Sequence, residues 1–289
     1  MAPAPLQKVI VVYGAMGTQG TTITLSLLES RQNFVVRVLT RKPESEKAQK
    51  LARLGAEIAV MKPEGSTDED LGRRLVTLAA GAGVKVFIYS TCDSSSKITN
   101  GKAPVPGMDA KRRVELFARE FKEFDAMIGA WPAWYFENFI DAEYAQAFGG
   151  FPLQPDKEGY LTFTSPTLEE MVHALFLNPL QWHGCTVPCM SDSFSYEDMV
   201  KVFTEVTRKK ARYIPMNSYK DFPTHGDSVL VELQDVYLYM QNENGWFFGK
   251  PDDTATCQQL KDEARADKGL QPQRLISMRE YFSKHYGRN

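Results

Sequence analysis

The chain lacks most features of membrane, secreted or nucleic-acid-binding proteins. Its 289 residues hold no run of about 18 apolar residues, so we expect no transmembrane helix and no membrane partner. Residues 1–6 lack the charged and apolar regions of a signal peptide, and the four cysteines are irregularly spaced. A net charge of -2 offers no basic surplus for nucleic acid. We therefore expect a cytoplasmic protein, with the nucleus as a second compartment.

Metal ligands are also scarce. The segment His183-Gly-Cys185-x-x-x-Cys189 offers three donors, but it contains Pro188, and no fourth ligand follows at a usual spacing. A buried strand with small apolar thiols at Cys185 and Cys189 is the preferred interpretation. We therefore predict no metal site.

Three regularly spaced glycines are the most informative feature that is present. An uncharged β-branched run, 9–13, predicts a strand buried on both faces. Gly14, Gly17 and Gly20 follow in the pattern G-x-x-G-x-x-G, and a helix is predicted over 21–29. The first N–H groups of a helix have no intrahelical partner and lie at the positive end of its dipole, so they suit a pyrophosphate. The sequence predicts a dinucleotide site; a plain strand-to-helix turn is the alternative.

Two basic residues follow the second predicted strand, 34–40. In dinucleotide folds this strand end meets the adenosine ribose, where an acidic residue favours NAD and a basic one accommodates the 2′-phosphate of NADP. Arg41 and Lys42 occupy this place, and a planar guanidinium suits both a phosphate and the adenine face. The pattern favours NADP(H), with a solvated basic loop as the alternative.

Strands and helices alternate as far as about residue 150, which predicts an α/β fold with a Rossmann-type, doubly wound parallel sheet. Further strands are predicted at 57–61, 85–90 and 125–131, and helices at 44–54, 68–80 and 108–124. Beyond residue 150 the pattern loosens. We expect a dinucleotide-binding domain over 1–150 and a smaller α+β lobe over 151–289 that forms a substrate cleft, with parts of 160–180 packing back on the first domain.

Two segments lie where open α/β sheets bind ligands, beyond the carboxyl ends of strands. The first is an aperiodic loop, 94–106, of a length that is usually functional or disordered. The second carries the aromatic residues Trp131, Trp134, Tyr135, Phe136 and Phe139. These aromatic side chains suit an apolar wall for a substrate or core packing between the lobes, and both interpretations remain open.

Four motifs carry a family resemblance: Tyr13-Gly-Ala-Met-Gly-Thr-Gln-Gly20, Val38-Leu-Thr-Arg-Lys-Pro43, Gly107-Met-Asp-Ala-Lys111-Arg-Arg-Val-Glu115 and Tyr135-Phe-Glu-Asn138. With these motifs the chain resembles the NmrA-like family of atypical short-chain dehydrogenase/reductases, which is common in fungi and lies near the isoflavone-reductase-like proteins. The resemblance covers nearly the whole chain. It implies a Rossmann domain that binds NADP(H) and a lobe that helps to bind a small-molecule substrate.

The resemblance also implies which residues contact the cofactor. They are Gly14, Ala15, Met16, Gly17, Thr18, Gln19, Gly20, Arg41, Lys42, Tyr135, Phe136, Glu137 and Asn138. In isoflavone-reductase-type enzymes a lysine at the position of Lys111 reaches the nicotinamide and the substrate, so Lys111 is predicted to be both cofactor-binding and catalytic. An ammonium there can polarise a carbonyl that accepts hydride. An exposed lysine with no such role is the alternative.

The sequence departs from the family pattern in two respects. It contains no Tyr-x-x-x-Lys pair, which is expected in this family but leaves the proton donor unnamed. Family members also carry another strand and helix between the third strand and the strand that ends in Tyr-Ser, whereas a single predicted helix fills the interval 62–84 here. Either the sheet is one strand short, or the third strand is misplaced.

Three functions are compatible with these features. The first is an NADP(H)-dependent oxidoreductase that reduces a small organic substrate, in a fungal secondary-metabolite pathway. The second is a dinucleotide-sensing regulator with a protein partner, because NmrA itself binds dinucleotide and a transcription factor without turnover. The third is a non-redox cyclase or isomerase on the same fold. The sequence does not indicate an oligomeric state.

Overall fold

The structure is a computed structural model that describes residues 8–62, 67–136, 160–164, 168–208, 210–213, 215 and 217–286. Its first elements are β1 (Val9–Val12), α1 (Thr18–Leu28), β2 (Val35–Thr40), α2 (Glu46–Arg53), β3 (Glu57–Val60), α3 (Asp68–Gly81), β4 (Val86–Ser90), α4 (Ser95–Ile98), α5 (Pro106–Arg119) and β5 (Ala126–Pro132). This alternation confirms the predicted α/β fold. The predicted cofactor contacts Glu137 and Asn138 lie outside the described residues, as does Phe139.

The second half begins with two short strands and a helix, β6 (Trp134–Tyr135), β7 (Tyr160–Thr164) and α6 (Leu168–Leu177). It continues with β8 (Thr186–Cys189), β9 (Asp192–Ser195), α7 (Tyr196–Thr207), α8 (Ser228–Asn242), α9 (Thr254–Lys268) and α10 (Met278–Tyr286). Short 3-10 helices span Pro179–Trp182 and Tyr219–Asp221. Among the described residues, no helix has the length and apolarity that crossing a bilayer requires.

The parallel strands form two half-sheets. One has the order β1-β2-β3, and the other has the order β4-β5-β8. Within the described residues, β1 pairs with β2 alone and β4 pairs with β5 alone. The other edge of each of these two strands therefore has no described strand beside it. A third sheet, β6-β7-β9, belongs to the second half of the chain. The described residues between β3 and β4 form a single helix, α3, in agreement with a sheet that is one strand short.

The burial of β1 differs from the prediction. We expected this strand to be buried on both faces, and that expectation is wrong. Ile10 and Val12 are buried, whereas Val9 and Val11 are 51% and 45% exposed. Side chains alternate between the two faces of a strand, so one face of β1 packs in the core with α1 and the other is open to solvent.

The two halves of the chain share a core. Helix α6 packs on α1, and α9 packs on α6 in turn. Strand β8 pairs with β5 and thereby adds residues 186–189 to the second half-sheet. The largest buried cluster contains side chains of both β5 and the helices α8 to α10. The boundary at residue 150 stays a prediction, but the lobes are joined by shared packing.

Several local predictions differ from the structure. The segment 94–106 contains the short helix α4, which Ser94 begins by accepting a hydrogen bond from the N–H of Lys97. Helix α5 ends at Arg119 rather than 124, and Phe124, beyond the helix, packs on Phe87 at 5.1 Å between ring centroids. Cys185 precedes β8 and is exposed, so only Cys189 is the buried thiol that was expected there.

Candidate functional site

The glycine turn joins β1 to α1 as predicted. Gly14 has a φ of +74°, a conformation that glycine adopts at little cost. The N–H of Gly17 donates to the carbonyl oxygen of Gly14 at 2.9 Å, which closes the turn. Gly20 lies inside the first turn of α1, where an added Cβ would be 2.3 Å from that same oxygen. The turn is therefore a tight backbone cradle in which position 20 has no room for a side chain.

The start of α1 is open to an anion. Its N-cap is Gly17, which offers no side-chain cap, and the first turn contains no acidic residue. Ala15 is fully buried, and its carbonyl oxygen accepts a 2.8 Å hydrogen bond from Thr21 Oγ1, which holds the turn against the start of α1. Unpaired N–H groups and the helix dipole favour a phosphate at this place.

A lysine that the sequence analysis missed lies beside the cradle. Lys47, in the first turn of α2, donates from Nζ to the carbonyl oxygen of Met16 at 3.2 Å. This contact brings an exposed ammonium to the turn between β1 and α1. No local pattern marks Lys47, because its position depends on how α2 packs beside the half-sheet.

Arg41 and Lys42 lie where the sequence places them, directly after β2. Strands β1 and β2 are parallel neighbours, with Val12 paired with Val38, so their carboxyl ends lie side by side. The N–H of Lys42 donates to Thr40 Oγ1 at 3.1 Å, which fixes the turn, while both basic side chains are exposed. The structure thus brings two cations to the same sheet edge as the glycine cradle.

The predicted contacts of α1 extend to β4. Thr18 is exposed at the helix start, and Gln19 accepts a hydrogen bond at Oε1 from Ser90 Oγ at 3.0 Å. This bond crosses from one half-sheet to the other at their carboxyl edges. Ser90 was not predicted as a site residue, although its place at the end of a parallel strand is a usual one for ligand contacts.

Lys111 is exposed on α5, near the carboxyl end of β4. Thr91 Oγ1, just after β4, donates to the Lys111 carbonyl oxygen at 3.4 Å. Burial raises the pKa of the neighbouring Cys92 thiol to about 11, and the Lys111 charge partly opposes that rise. The ammonium therefore lies close enough to the end of β4 to influence a buried thiol there, in the region predicted for the reacting group.

A buried ionic cluster holds α5 in place. Glu115 is 0% exposed and accepts hydrogen bonds from Arg112 Nη1 at 2.8 Å and Thr186 Oγ1 at 2.7 Å. Thr91 Oγ1 donates to it at 3.1 Å, and Arg119 forms an ion pair with it. Because Thr91 follows β4 and Thr186 belongs to β8, their bonds to Glu115 fix α5, and with it Lys111, relative to the second half-sheet.

The aromatic residues near β6 pack mainly as core. Trp134 stacks on Tyr237 at 6.4 Å between centroids, and Phe136 packs on Tyr281 at 4.8 Å. Phe136 is fully buried, so its side chain is occupied in packing, whereas Tyr135 is half-buried. Core packing is therefore the better interpretation of most of this aromatic group.

Two surface clefts are separate from the predicted cofactor contacts. One of about 350 Å³ lies between α4 and α5 and is lined by Ser94, Lys97, Asp109 and Arg112, among others. The other, of about 700 Å³, lies against α7. Neither is lined by Lys111 or by a residue of the glycine turn, so these two clefts are distinct from the predicted cofactor site.

Solved structures with this fold include cofactor complexes. NmrA, described as a negative transcriptional regulator in complex with NADP, superposes with a TM-score of 0.68 at 17% identity, covering 97% of this chain and 95% of NmrA. The NADPH-dependent quinone oxidoreductase QOR2 of Escherichia coli, complexed with NADPH, gives 0.68 at 15% identity, covering 96% and 100%. At these identities the likeness establishes the fold.

Curated relatives match in sequence. The NmrA-like family domain-containing oxidoreductase hkm9 of Aspergillus hancockii is 34% identical over 326 residues, covering 96% of this chain and 97% of that protein. Its counterpart himF of Aspergillus japonicus is 31% identical over 329 residues, covering 97% and 99%. Both alignments are longer than the 289-residue chain, so the relatives carry residues that have no counterpart here.

The family model locates that missing segment. The model of the NmrA-like family matches residues 6–65 and 58–261, two stretches that overlap at 58–65, from within β3 to the residues that follow it. This is where the described chain goes from β3 to β4 through the single helix α3, and where the half-sheets separate. Matched over most of its length, the chain belongs to the NmrA-like family.

Proposed function

We propose that the chain is an NADP(H)-dependent oxidoreductase that reduces a small organic substrate. The observation that carries this proposal is the glycine cradle, whose backbone leaves no room for a Cβ on Gly20 and whose helix N-terminus has no side-chain cap. Arg41 and Lys42 at the adjacent strand end favour the 2′-phosphate form of the cofactor. The curated relatives are named as oxidoreductases and come from Aspergillus species, which supports the redox assignment. A fungal secondary-metabolite pathway is the proposed setting.

The residues at the sheet edge have separable tasks in this proposal. NADPH, when bound, supplies the hydride. The N–H groups at the start of α1 bind the pyrophosphate, and Lys47 adds a positive charge beside the turn. Lys111 orients the substrate and stabilises negative charge that develops on a carbonyl oxygen. The buried Glu115 cluster keeps α5, and with it Lys111, in register with β4.

A binding and turnover assay tests the proposal. We expect NADPH to bind more tightly than NADH, and NADPH to be oxidised in the presence of members of a panel of ketones, aldehydes and enones. Lys111→Ala should lower kcat/KM by about 100-fold while NADPH still binds. Lys122→Ala, which removes an exposed lysine just beyond the same helix, is the matched control. Full activity of Lys111→Ala would remove the catalytic role of this residue.

One observation favours a second function. Among the described strands, none pairs with the second edge of β1 or of β4, so the sheet is open beside the cofactor cradle. A protein that binds a dinucleotide without turnover needs the cradle alone. A regulator would bind NADP(H), oxidise none of it with any substrate, and capture a protein partner. Turnover that continues after complete removal of the cofactor would instead indicate the non-redox cyclase or isomerase.

A further inference from the structure

A carboxylate from the second half of the chain lies against the first turn of α5. Gly107 is the second residue of that helix, and a Cβ built on it would be 2.0 Å from Glu232 Oε1 and 3.0 Å from its Cδ. Glu232 belongs to α8, so the contact joins two elements that are distant in sequence. The close approach is possible because residue 107 has no side chain.

This contact places Glu232 beside Lys111. Gly107 and Lys111 are four residues apart on α5, so they lie on one face, about one helical turn from each other. The charges of Lys111 and Glu232 both act on the buried Cys92 thiol, next to the end of β4. Burial is the largest cause of its raised pKa; the Lys111 charge lowers that pKa, and the Glu232 charge raises it. Both charges therefore lie within electrostatic range of the thiol that follows β4.

The Glu232 carboxylate is available to a ligand. It is exposed, and no hydrogen bond or ion pair joins it to another part of the chain that the structure describes. Two other cations of α5 are already paired. Arg112 contacts Asp93 at 3.3 Å as well as Glu115, and Arg113 contacts Glu69 at 2.8 Å. Helix α8 itself is anchored by Tyr237, which is buried against Trp134.

We propose that Glu232 is a specificity-determining residue that binds a positively charged nitrogen of the substrate. Opposite charges one turn apart orient a molecule of matching polarity. The cationic nitrogen pairs with Glu232, and the carbonyl oxygen that gains charge during reduction pairs with Lys111. The substrate class is an amino carbonyl compound, with an ammonium a few bonds from the reducible group. This inference rests on the proposed oxidoreductase function.

Two aldehydes of the same shape test the inference. They are 4-(trimethylammonio)benzaldehyde, which is a cation, and 4-tert-butylbenzaldehyde, which is neutral. We expect the ratio of their kcat/KM values, cation over neutral, to fall about 10-fold in Glu232→Gln, a change equivalent to about 1.4 kcal/mol. The ratio should fall further in Glu232→Lys. Glu243→Gln, at the other end of α8, is the control and should keep the wild-type ratio.

Other outcomes separate this inference from the oxidoreductase proposal. An unchanged ratio in Glu232→Gln, with a lower melting temperature, would mean that Glu232 only stabilises the start of α5, and the inference would be wrong. If the wild type oxidises no NADPH with either aldehyde, the oxidoreductase proposal fails. Saturation-transfer NMR of the same two aldehydes then tests whether Glu232 recognises the cation. A binding preference for the cation that is lost in Glu232→Gln supports recognition by Glu232; equal binding overturns it.

Discussion

The carbonyl oxygen of Gly14 lies 2.3 Å from the position that a Cβ on Gly20 would occupy. No rotamer change can relieve a contact this short, because the oxygen belongs to the backbone and the position of a Cβ is fixed by its own backbone. Gly20→Ala must therefore displace the first turn of α1 from the end of β1. We expect NADPH affinity to fall by at least about 10-fold, since the N–H groups that would bind the pyrophosphate move with that turn.

The control for this substitution is Gly81→Ala. Gly81 is the last residue of α3, and a Cβ there meets no atom within 4 Å. Alanine should be neutral or stabilise the helix by up to about 1 kcal/mol. Fluorescence titration with NADPH and urea unfolding measure both variants. Wild-type affinity in Gly20→Ala would mean that the turn is not the pyrophosphate site.

Arg41 should determine the choice between NADPH and NADH. Its exposed guanidinium follows β2 at the edge shared with the cradle, where the 2′-phosphate of NADP is expected. Arg41→Ala should weaken NADPH binding by about 10-fold, because a charge-assisted bond to phosphate contributes roughly 1.5 kcal/mol or more, and it should leave NADH binding nearly unchanged. Arg53→Ala, on α2, is the control for a general loss of charge. Equal losses for both cofactors would contradict the assignment.

The glycine cradle and the basic strand end could be predicted because each is local in sequence. The signal in each case lies within a few residues, and the parallel arrangement of β1 and β2 brings the two together. The contact between Gly107 and Glu232 could not be predicted, since nothing near either residue encodes the position of the other. Lys47 was missed for the same reason.

The errors about the fold also have physical causes. The uncharged run of β1 predicts burial on both faces, but the half-sheets separate beside it and leave Val9 exposed. Helix α9 was not predicted because its buried positions include Cys257, Lys261 and Ala264, which give a weak apolar period. The ammonium of Lys261 is buried because it donates to the carbonyl oxygen of Arg274 at 2.9 Å.

Glu115 should contribute strongly to stability. Its carboxylate is fully buried and has hydrogen bonds or ion pairs with two arginines and two threonines. Removing one member of a buried ionic cluster leaves the others uncompensated, so Glu115→Gln should lower the free energy of unfolding by about 3 kcal/mol. The exposed Glu123→Gln is the control, with an expected change within about 0.5 kcal/mol. Urea denaturation measures both, and a change as small as that of the control would contradict the structural role.

The buried His173 joins the cofactor helix to the second half of the chain. Its Nδ1 lies 3.1 Å from Ser26 Oγ on α1, and its Nε2 lies 3.1 Å from Asp267 Oδ2 on α9. Burial lowers the pKa of His173 below its usual 6.5; Asp267 opposes this shift, and the charge of Lys268 adds to it. In the folded state the ring is therefore held neutral at a pH where the unfolded chain already binds a proton.

The sign of the pH dependence follows from that difference. Because the pKa of His173 is lower in the folded state, the neutral ring contributes its full stability above about pH 6.5. That contribution is lost as the pH falls towards the pKa of the folded state. We expect the free energy of unfolding to decrease as the pH falls below about 6.5, and this slope to be smaller in His173→Gln. At pH 8 the substitution should still destabilise the protein by about 2 kcal/mol, because the Ser26 and Asp267 groups lose their partner.

His285→Gln is the control. The pKa of His285 is lowered in the same direction, but its ring is exposed, so the slope should change less. An unchanged slope in His173→Gln would place the pH dependence elsewhere in the chain.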